Sequence, residues 1–461
     1  MESNFGPLFY GIDRTVPVIG GERRYIDFDN AASTPALKSV VEKITEFLPW
    51  YANVHRGAGF TSRLSSWALE EARGRVARFV RADSDRQVVL FSRNTTESIN
   101  HLASRFPFRR GAVVITTEME HHSNLLPWRR VARVVHVGVG PDGRVDEAEL
   151  RSAIAAHQAD LELVAVTGAS NVTGFINPVH RWARWAHDAG ARIVVDAAQL
   201  APHRPIDMNP DDPGERLDFV AFSAHKMYAP FGLGVLIGDR DALSQGDPYL
   251  VGGGSAELVG LEEARWARLP DREEAGTPAV IGAVALGVAI RCLEEIGWER
   301  IIRHERALTA YALERLSSVP RIRIYGDADP AGTAERLGVI PFRLRGLHHG
   351  LVSEVLSCEW GIGTRSGAFC AHPYVKSLLR GETDRIRQVG SPVGNGGCSD
   401  SIGLVRASFG LYNNADEVDR LCEALLALGD GSARNGYQWD DQRRAFRCRE
   451  MPERFERYFT M

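Results

Sequence analysis

Lys226 stands where a chain can put an amine to chemical use. It follows the apolar run Phe219-Val220-Ala221-Phe222, inside the string Ser223-Ala224-His225-Lys226-Met227-Tyr228-Ala229-Pro230, with Gly232 and Gly234 just beyond. The run reads as a buried strand. A lysine at its end, among small residues and a hydroxyl, is desolvated, which lowers its pKa and frees its lone pair to form a Schiff base with a carbonyl. The same letters also fit a lysine carried on a glycine-rich turn. Thirty positions upstream, Val194-Val195-Asp196-Ala197-Ala198-Gln199 reads as a second β-branched strand, ending in a carboxylate. The third reactive candidate is a thiol. Cys370 lies in Gly361-Ile362-Gly363-Thr364-Arg365-Ser366-Gly367-Ala368-Phe369-Cys370-Ala371-His372-Pro373. Arg365 and His372 could stabilise its thiolate, whereas Phe369 beside it could bury the sulfur and raise its pKa.

The elements needed to bring these groups together are written along the chain. Apolar stretches at 88–91, 113–116, 161–166, 192–195, 219–222 and 232–238 read as strands, and they alternate with amphipathic helices such as 69–80, 147–156 and 178–189. Strands alternating with helices of this length form parallel βαβ units covered on both faces, and ligands gather beyond the carboxyl ends of the strands. Ser92-Arg93-Asn94-Thr95-Thr96-Glu97 is such a strand end, running into a helix. A phosphate suits free N–H groups and hydroxyls at a helix N-terminus, so Thr95 and Thr96 could hold one; equally, Asn94 or Thr95 could simply cap the helix. The glycine-containing segment His55-Arg56-Gly57 reads as a loop, and Thr34-Pro35 as a helix start.

Composition excludes several classes. The chain has 461 residues, 44% hydrophobic and 25% charged, with a net charge of −4 and both signs interspersed. That is an ordinary globular enzyme composition, with no basic face for nucleic acid and no polybasic membrane anchor. No apolar run approaches the ~20 residues of a membrane span, and no basic-then-apolar leader opens the chain, so cytoplasm is the expected compartment. Cys292, Cys358, Cys370, Cys398, Cys422 and Cys448 form no CxxC pair and no metal-like spacing with histidine. Neither a disulfide framework nor a metal site is expected.

The ordered set His121, Asn171, Asp196, Gln199, Lys226, Cys370 and Arg406 resembles the class V aminotransferase-like family of pyridoxal phosphate (PLP) enzymes, and within it the cysteine desulfurases and selenocysteine lyases. The similarity runs over roughly residues 25–428. It implies a fold-type I PLP-dependent transferase: an α/β protein with a mostly parallel central sheet, helices on both faces, and a smaller α+β C-terminal domain. The implied divisions are a PLP-binding domain at 25–297 and a small domain carrying the cysteine loop at 298–428; outside them, residues 1–24 read as an arm or short helix from their glycine, proline and charge, and 429–461 as a charged, aromatic extension. Lys226 would hold the cofactor and Asp196 its ring nitrogen. His121, in Glu118-Met119-Glu120-His121-His122-Ser123-Asn124, would lie flat on the ring and handle protons, for which imidazole has the right face and pKa. Thr95, Thr96, Gln199, Ser223 and His225 would complete the cofactor site, with Thr277 reaching the phosphate of a second subunit in a homodimer with shared active sites. Asn171, Arg406, Arg365 and His55 would bind an amino-acid substrate, Arg406 through its carboxylate. On the residues alone, Arg406 also fits a surface arginine on a strand, and the His55 segment a solvated turn.

The resemblance further implies that Cys370 takes sulfur from cysteine, leaving alanine, and that a sulfur-acceptor protein receives it. Two departures leave alternatives open. Ala368-Phe369 precedes the cysteine where the nearest desulfurases have two histidines, and thirty-five residues separate Cys370 from Arg406, an excess rich in glycine and polar residues (Gly381-Glu382-Thr383-Asp384, Gly394-Asn395-Gly396-Gly397). Such a stretch suits a lid or a substrate-specific insertion. A lyase, a carbon–carbon bond-forming enzyme that captures an alanine enamine with an aldehyde co-substrate, or an aminotransferase or epimerase would use the same apparatus without a persulfide.

Overall fold

The computed structural model describes residues 4–55, 57–380, 402–430, 436–451 and 455–461; Arg56 and the glycine-rich stretch at 381–401 lie outside the described residues. Seven strands form the large sheet: β1 (Gln87–Ser92), β2 (Val113–Thr117), β3 (Arg133–Val137), β4 (Leu161–Thr167), β5 (Arg192–Asp196), β6 (Phe219–Ser223) and β7 (Gly234–Asp239). Their spatial order is β1-β7-β6-β5-β4-β2-β3. The strands β3, β2, β4, β5 and β6 are joined in parallel, while β7 runs antiparallel to both β6 and β1. The reason is chain length. A parallel return needs a crossover of about a dozen residues or more, and only ten separate Ser223 from Gly234. The chain must double back, and Lys226 sits in the reversal.

Alternate residues of these strands face opposite cores. Val89, Phe91, Ile115, Val164, Val195, Val220 and Ile237 pack on one side, and Val88, Leu90, Val114, Leu163, Val194, Phe219 and Leu236 on the other. Both faces are dry, which is why the strands read as unbroken apolar runs. Beside β7, a Cβ on Gly234 would lie 2.4 Å from the Asn94 carbonyl carbon, so only glycine lets the start of the helix Thr95–Arg105 come this close.

The helix Val280–Ile296 packs against Lys38–Phe47 and Phe60–Phe79, and Gly297, at φ +89°, turns the chain into the helix Trp298–Ser317. A second, antiparallel sheet follows, in the order Ile322–Ile324, Val339–Leu344, Leu404–Ser408, Arg365–Gly367. Its core also takes Ile26 and Phe28, because Ile26–Asp27 pairs in parallel with Ile362–Gly363. In the N-terminal arm a short 3-10 helix, Gly6–Leu8, is followed by a hairpin, Thr15–Val18 with Gly21–Arg24. Near the C-terminus, the hairpin Tyr437–Asp440 with Ala445–Cys448 docks on the helix His349–Trp360, with Tyr437 Oη on Glu359 (2.8 Å) and Cys448 N on Glu354 (3.1 Å). Among the described residues no helix is long and apolar enough to cross a membrane.

Candidate active site

The carboxyl ends of β1, β2, β4, β5 and β6 open on one cleft. Asp196 ends β5, is buried, and takes the Ala198 N–H on Oδ1 at 3.0 Å. Burial raises its carboxyl pKa, against the pull of that N–H and of Lys226. Lys226 closes the short turn Ala224–Lys226 after β6. Burial pushes its ammonium down to about 8, Asp196 draws it back, and Arg406 opposes it. The turn is stapled by Thr34, whose N–H and hydroxyl both reach the His225 carbonyl at 3.0 Å and whose hydroxyl accepts the Tyr228 N–H at 2.8 Å. Thr34 is spent on this staple, so the helix expected at Thr34-Pro35 begins later, at Lys38.

His121 lies beyond β2. Its Nδ1 accepts the Ser123 main-chain N–H at 3.1 Å, so the neutral ring carries its proton on Nε2. Burial first, then the charges of Lys226, His122 and Arg406, press its pKa down to about 4, leaving a neutral imidazole at pH 7. Behind it, Glu120 is fully buried between the Thr117 hydroxyl (2.7 Å) and the Asn124 amide (2.7 Å), and burial pushes its carboxyl up to about 8.

At the start of the helix Thr95–Arg105 the capping reading applies to Asn94. Asn94 is the cap, accepting the Glu97 N–H at 3.0 Å. Thr95 joins β6 instead, its hydroxyl and N–H meeting Ser223 Oγ at 2.6 and 2.7 Å, while the Thr96 hydroxyl meets Ser123 Oγ at 2.7 Å. His225, whose Nδ1 lies 3.3 Å from Ser33 Oγ, is pressed down to about 4 by burial and Lys226. Hydroxyls, a helix start and two neutral imidazoles thus gather within one group of strand ends. Gln199 is buried nearby and donates its amide to the Ala31 carbonyl at 2.7 Å.

The second sheet supplies the other wall. Arg406 is no surface arginine: it is 2% exposed, with Nη2 on Asp29 Oδ1 (2.8 Å) and Nη1 on the Asn171 carbonyl (2.9 Å). Its Nε is buried without a partner. Arg365, exposed, reaches the other Asp29 oxygen at 3.4 Å. Phe369 and Cys370 are both held at φ +53°. The Asn171 amide donates to the Phe369 carbonyl (2.8 Å) and the His122 N–H to the Cys370 carbonyl (2.7 Å). Of the two possibilities for the thiol, the exposed one holds: the Phe369 ring lies under the Arg406 guanidinium at 5.0 Å and Cys370 is exposed. His372 stacks on His122.

The cleft therefore joins His121, Asn171, Asp196, Lys226, Cys370 and Arg406, with Thr95, Thr96, Ser223 and His225 at its floor. His55 and Thr277 share no hydrogen bond with this group among the described residues. His55, at φ +60°, gives its N–H to Ser66 Oγ. Thr277 is exposed on a turn whose Gly276 N–H bonds the Gly253 carbonyl at 2.7 Å. Asp29, Thr34, Ser123 and His122 are site residues that the sequence did not single out. For Asp29 the one available signal was its place in the strand Tyr25-Ile26-Asp27-Phe28-Asp29, beside small residues.

The family profile "Aminotransferase class-V" matches residues 26–421, most of the chain. The chain belongs to the class V aminotransferase family. Among relatives of this class V protein, a cysteine desulfurase from Haloferax volcanii is 36% identical over 427 residues, covering 90% of each chain. One from Dickeya dadantii is 37% identical over 407 residues, covering 86% of this chain and 90% of the relative. Among solved structures, the apo cysteine desulfurase of Thermococcus onnurineus NA1 superposes with a TM-score of 0.77 at 34% identity, covering 88% of this chain and 95% of that one. A cysteine desulfurase (S-sulfonic acid) from Escherichia coli gives 0.73 at 30% identity, covering 88% and 95%. The class V chain thus has the fold-type I architecture expected from its motifs, with a mixed sheet covered on both faces.

Proposed function

We propose that this protein is a PLP-dependent cysteine desulfurase that removes sulfur from L-cysteine to give alanine, with the sulfur held as a persulfide on Cys370. One observation carries the reading: an amine tuned to about 8, facing a buried carboxylate, shares its cleft with an exposed thiol on a loop clamped to the same walls. The donor set fits the cofactor. Lys226 offers an amine for its carbonyl, Asp196 an anion for its ring nitrogen, and the neutral face of His121 a stacking surface. Thr95, Thr96, Ser223 and His225 offer donors at a helix start for its phosphate, with Gln199 alongside. When bound, PLP supplies an electron sink for the substrate's α-carbon.

The chain's own groups do the rest. Arg406, with its spare Nε, and Asn171 hold the substrate carboxylate, and Arg365, joined to Asp29, adds positive charge beside them. Lys226 Nζ, near its pKa at physiological pH, moves the α-proton, and His121, whose Nε2 carries the proton of its neutral ring, serves as a donor from that atom. Cys370 Sγ, as thiolate, attacks the substrate sulfur. The new S–S bond forms as the C–S bond breaks, its electron pair stays with carbon, and protonation there yields alanine. A sulfur-accepting protein or thiol then takes the outer sulfur from Cys370, which its exposure permits.

We also propose a homodimer. Leu250, Val251, Leu258, Val259 and Leu261 are exposed on and beside the hairpin Ala256–Val259 with Ala264–Trp266, next to the Gly252–Ser255 turn, which bonds Gly276, the neighbour of Thr277. Such an apolar edge suits burial against a second copy, which would bring Thr277 to that copy's cofactor phosphate.

The test is Cys370→Ser, with cofactor loading checked by absorbance. Holoenzyme given L-cysteine should form alanine and a persulfide at Cys370. The variant should keep the cofactor absorbance and lose sulfur release. A variant that turns over L-cysteine, or any other amino acid, as fast as the parent would make Cys370 structural and favour the reactions that need no persulfide.

A further inference from the structure

The loop that presents Cys370 is held in a shape its residues do not favour. Two consecutive side-chain-bearing residues, Phe369 and Cys370, sit at φ +53°, where the Cβ crowds the backbone. Such a conformation persists only where the surroundings over-determine it. Asn171 grips the Phe369 carbonyl at 2.8 Å, and the Ala371 N–H closes on the Ala368 carbonyl at 2.8 Å. His122 grips twice. Its main-chain N–H holds the Cys370 carbonyl at 2.7 Å, and its ring Nε2 faces both the His372 main-chain N–H (3.3 Å) and His372 Nδ1 (3.1 Å). The two rings stack with centroids 4.9 Å apart and planes 12° from parallel. To accept the His372 N–H, Nε2 must keep its lone pair, so the proton of this ring is on Nδ1. The same segment anchors the following helix, His372–Leu378, through Glu118, which takes Ser377 Oγ at 2.7 Å and Arg380 Nη2 at 3.0 Å.

We propose that His122 is a positioning residue for sulfur transfer: it pins the Cys370 loop, through main chain and ring together, to the segment that carries His121. This rests on Cys370 being the sulfur acceptor. The stretch from Glu118 to Asn124 then sets proton-handling imidazole and thiol in one register, so that motion of one carries the other. The groups facing the His122 ring are His372 from the helix after the cysteine, Arg129 from the turn Pro127–Arg130, and His121 on its own segment. Partial burial, then His372 and Arg129, lower the pKa of His122, which keeps the lone pair free at neutral pH. Protonation in acid removes the acceptor.

Two variants separate this role from bulk packing. His122→Gln places a carbonyl oxygen that accepts a hydrogen bond at every pH, and His122→Phe keeps the ring's volume and the main-chain N–H but has no acceptor. The first readout is hydrogen–deuterium exchange of the peptide spanning Cys370 to Val375 in the holoenzyme, which needs no turnover. The second is the pH profile of Cys370 persulfide formation from L-cysteine in a single turnover, with KM measured alongside. In His122→Phe we expect faster exchange and a persulfide rate lower by roughly five- to tenfold, what loss of one neutral hydrogen bond amounts to, at unchanged KM. His122→Gln should restore both at neutral pH and lose the steeper fall that the parent's profile shows below the ordinary imidazole range, on top of the limb set by Lys226 and the thiolate. Unchanged exchange in His122→Phe overturns the grip. Faster exchange with an unchanged persulfide rate overturns the positioning role. A parent enzyme that forms no persulfide sinks the desulfurase reading instead, and the exchange result still decides the grip.

Discussion

Glu305 offers a sharp test of how the two sheets are held in register over the cleft. It lies on the helix Trp298–Ser317 and is 5% exposed. Its carboxylate takes His203 Nδ1 at 2.8 Å, the Arg204 guanidinium, and the Gly338 N–H at 3.0 Å. His203 and Arg204 follow Asp196 and Gln199 on the large-sheet side. Gly338 leads into Val339–Leu344, the strand in which Pro341 pairs with Arg406. One carboxylate thus ties the Asp196 side of the cleft to the Arg406 side. Burial alone would raise its pKa, but His203, Arg204 and the Gly338 N–H outweigh burial and bring it from 4.5 down to about 2. The folded value is the depressed one, so the stabilisation is complete above about 4.5 and is lost as the pH falls toward 2. The gap between 4.5 and about 2 is worth about 3 kcal/mol at pH 7. Glu305→Gln should therefore cost about 3 kcal/mol at neutral pH, leaving Arg204 buried without its counter-charge. The cost should shrink to less than about half by pH 3. Urea unfolding of the holoenzyme and the variant across pH 7 to 3, followed by tryptophan fluorescence, measures this directly. Equal midpoints at pH 7, or a difference that stays constant into acid, would refute the argument. A lowered turnover in the variant at full cofactor loading would further show that the register bears on catalysis.

Two further outcomes follow from burial and exposure. Burial pushes the Cys422 thiol up to about 11, and burial with Glu354 raises Cys358 beyond the ordinary thiol range, whereas Cys370 is exposed. Iodoacetamide at pH 8 should label Cys370 ahead of Cys358 and Cys422, and peptide mapping that finds either buried cysteine modified first would contradict the exposed-thiol site. Sedimentation of the holoenzyme should give a dimer, with Leu258→Asp and Val259→Asp together shifting it toward monomer; a parent that sediments as a monomer with full cofactor loading would remove the role given to Thr277.

The reactive groups and the sheet were legible in the amino-acid order because both rest on local pattern. Strands buried on two faces must be continuously apolar, so β4, β5 and β6 announced themselves, and Asp196 and Lys226 stood out as ionisable residues at strand ends where desolvation does chemical work. Even the antiparallel β7 follows from counting residues in the reversal that holds Lys226. The other wall depended on which distant segments meet. Arg406 finds Asp29 across 377 positions and the Asn171 carbonyl across 235, and no periodicity encodes such a pairing. Thr34 looked like a helix start because Thr-Pro is a good local signal, but the helix was overridden when Thr34 found the Lys226 turn. The same holds for the thiol. The letters left open whether Phe369 covers the sulfur; two left-handed residues go with a ring under Arg406 and an exposed Cys370. That φ choice is imposed by hydrogen bonds from Asn171 and His122, groups 198 and 248 positions away, because only tertiary contacts can repay a backbone conformation that each residue alone avoids.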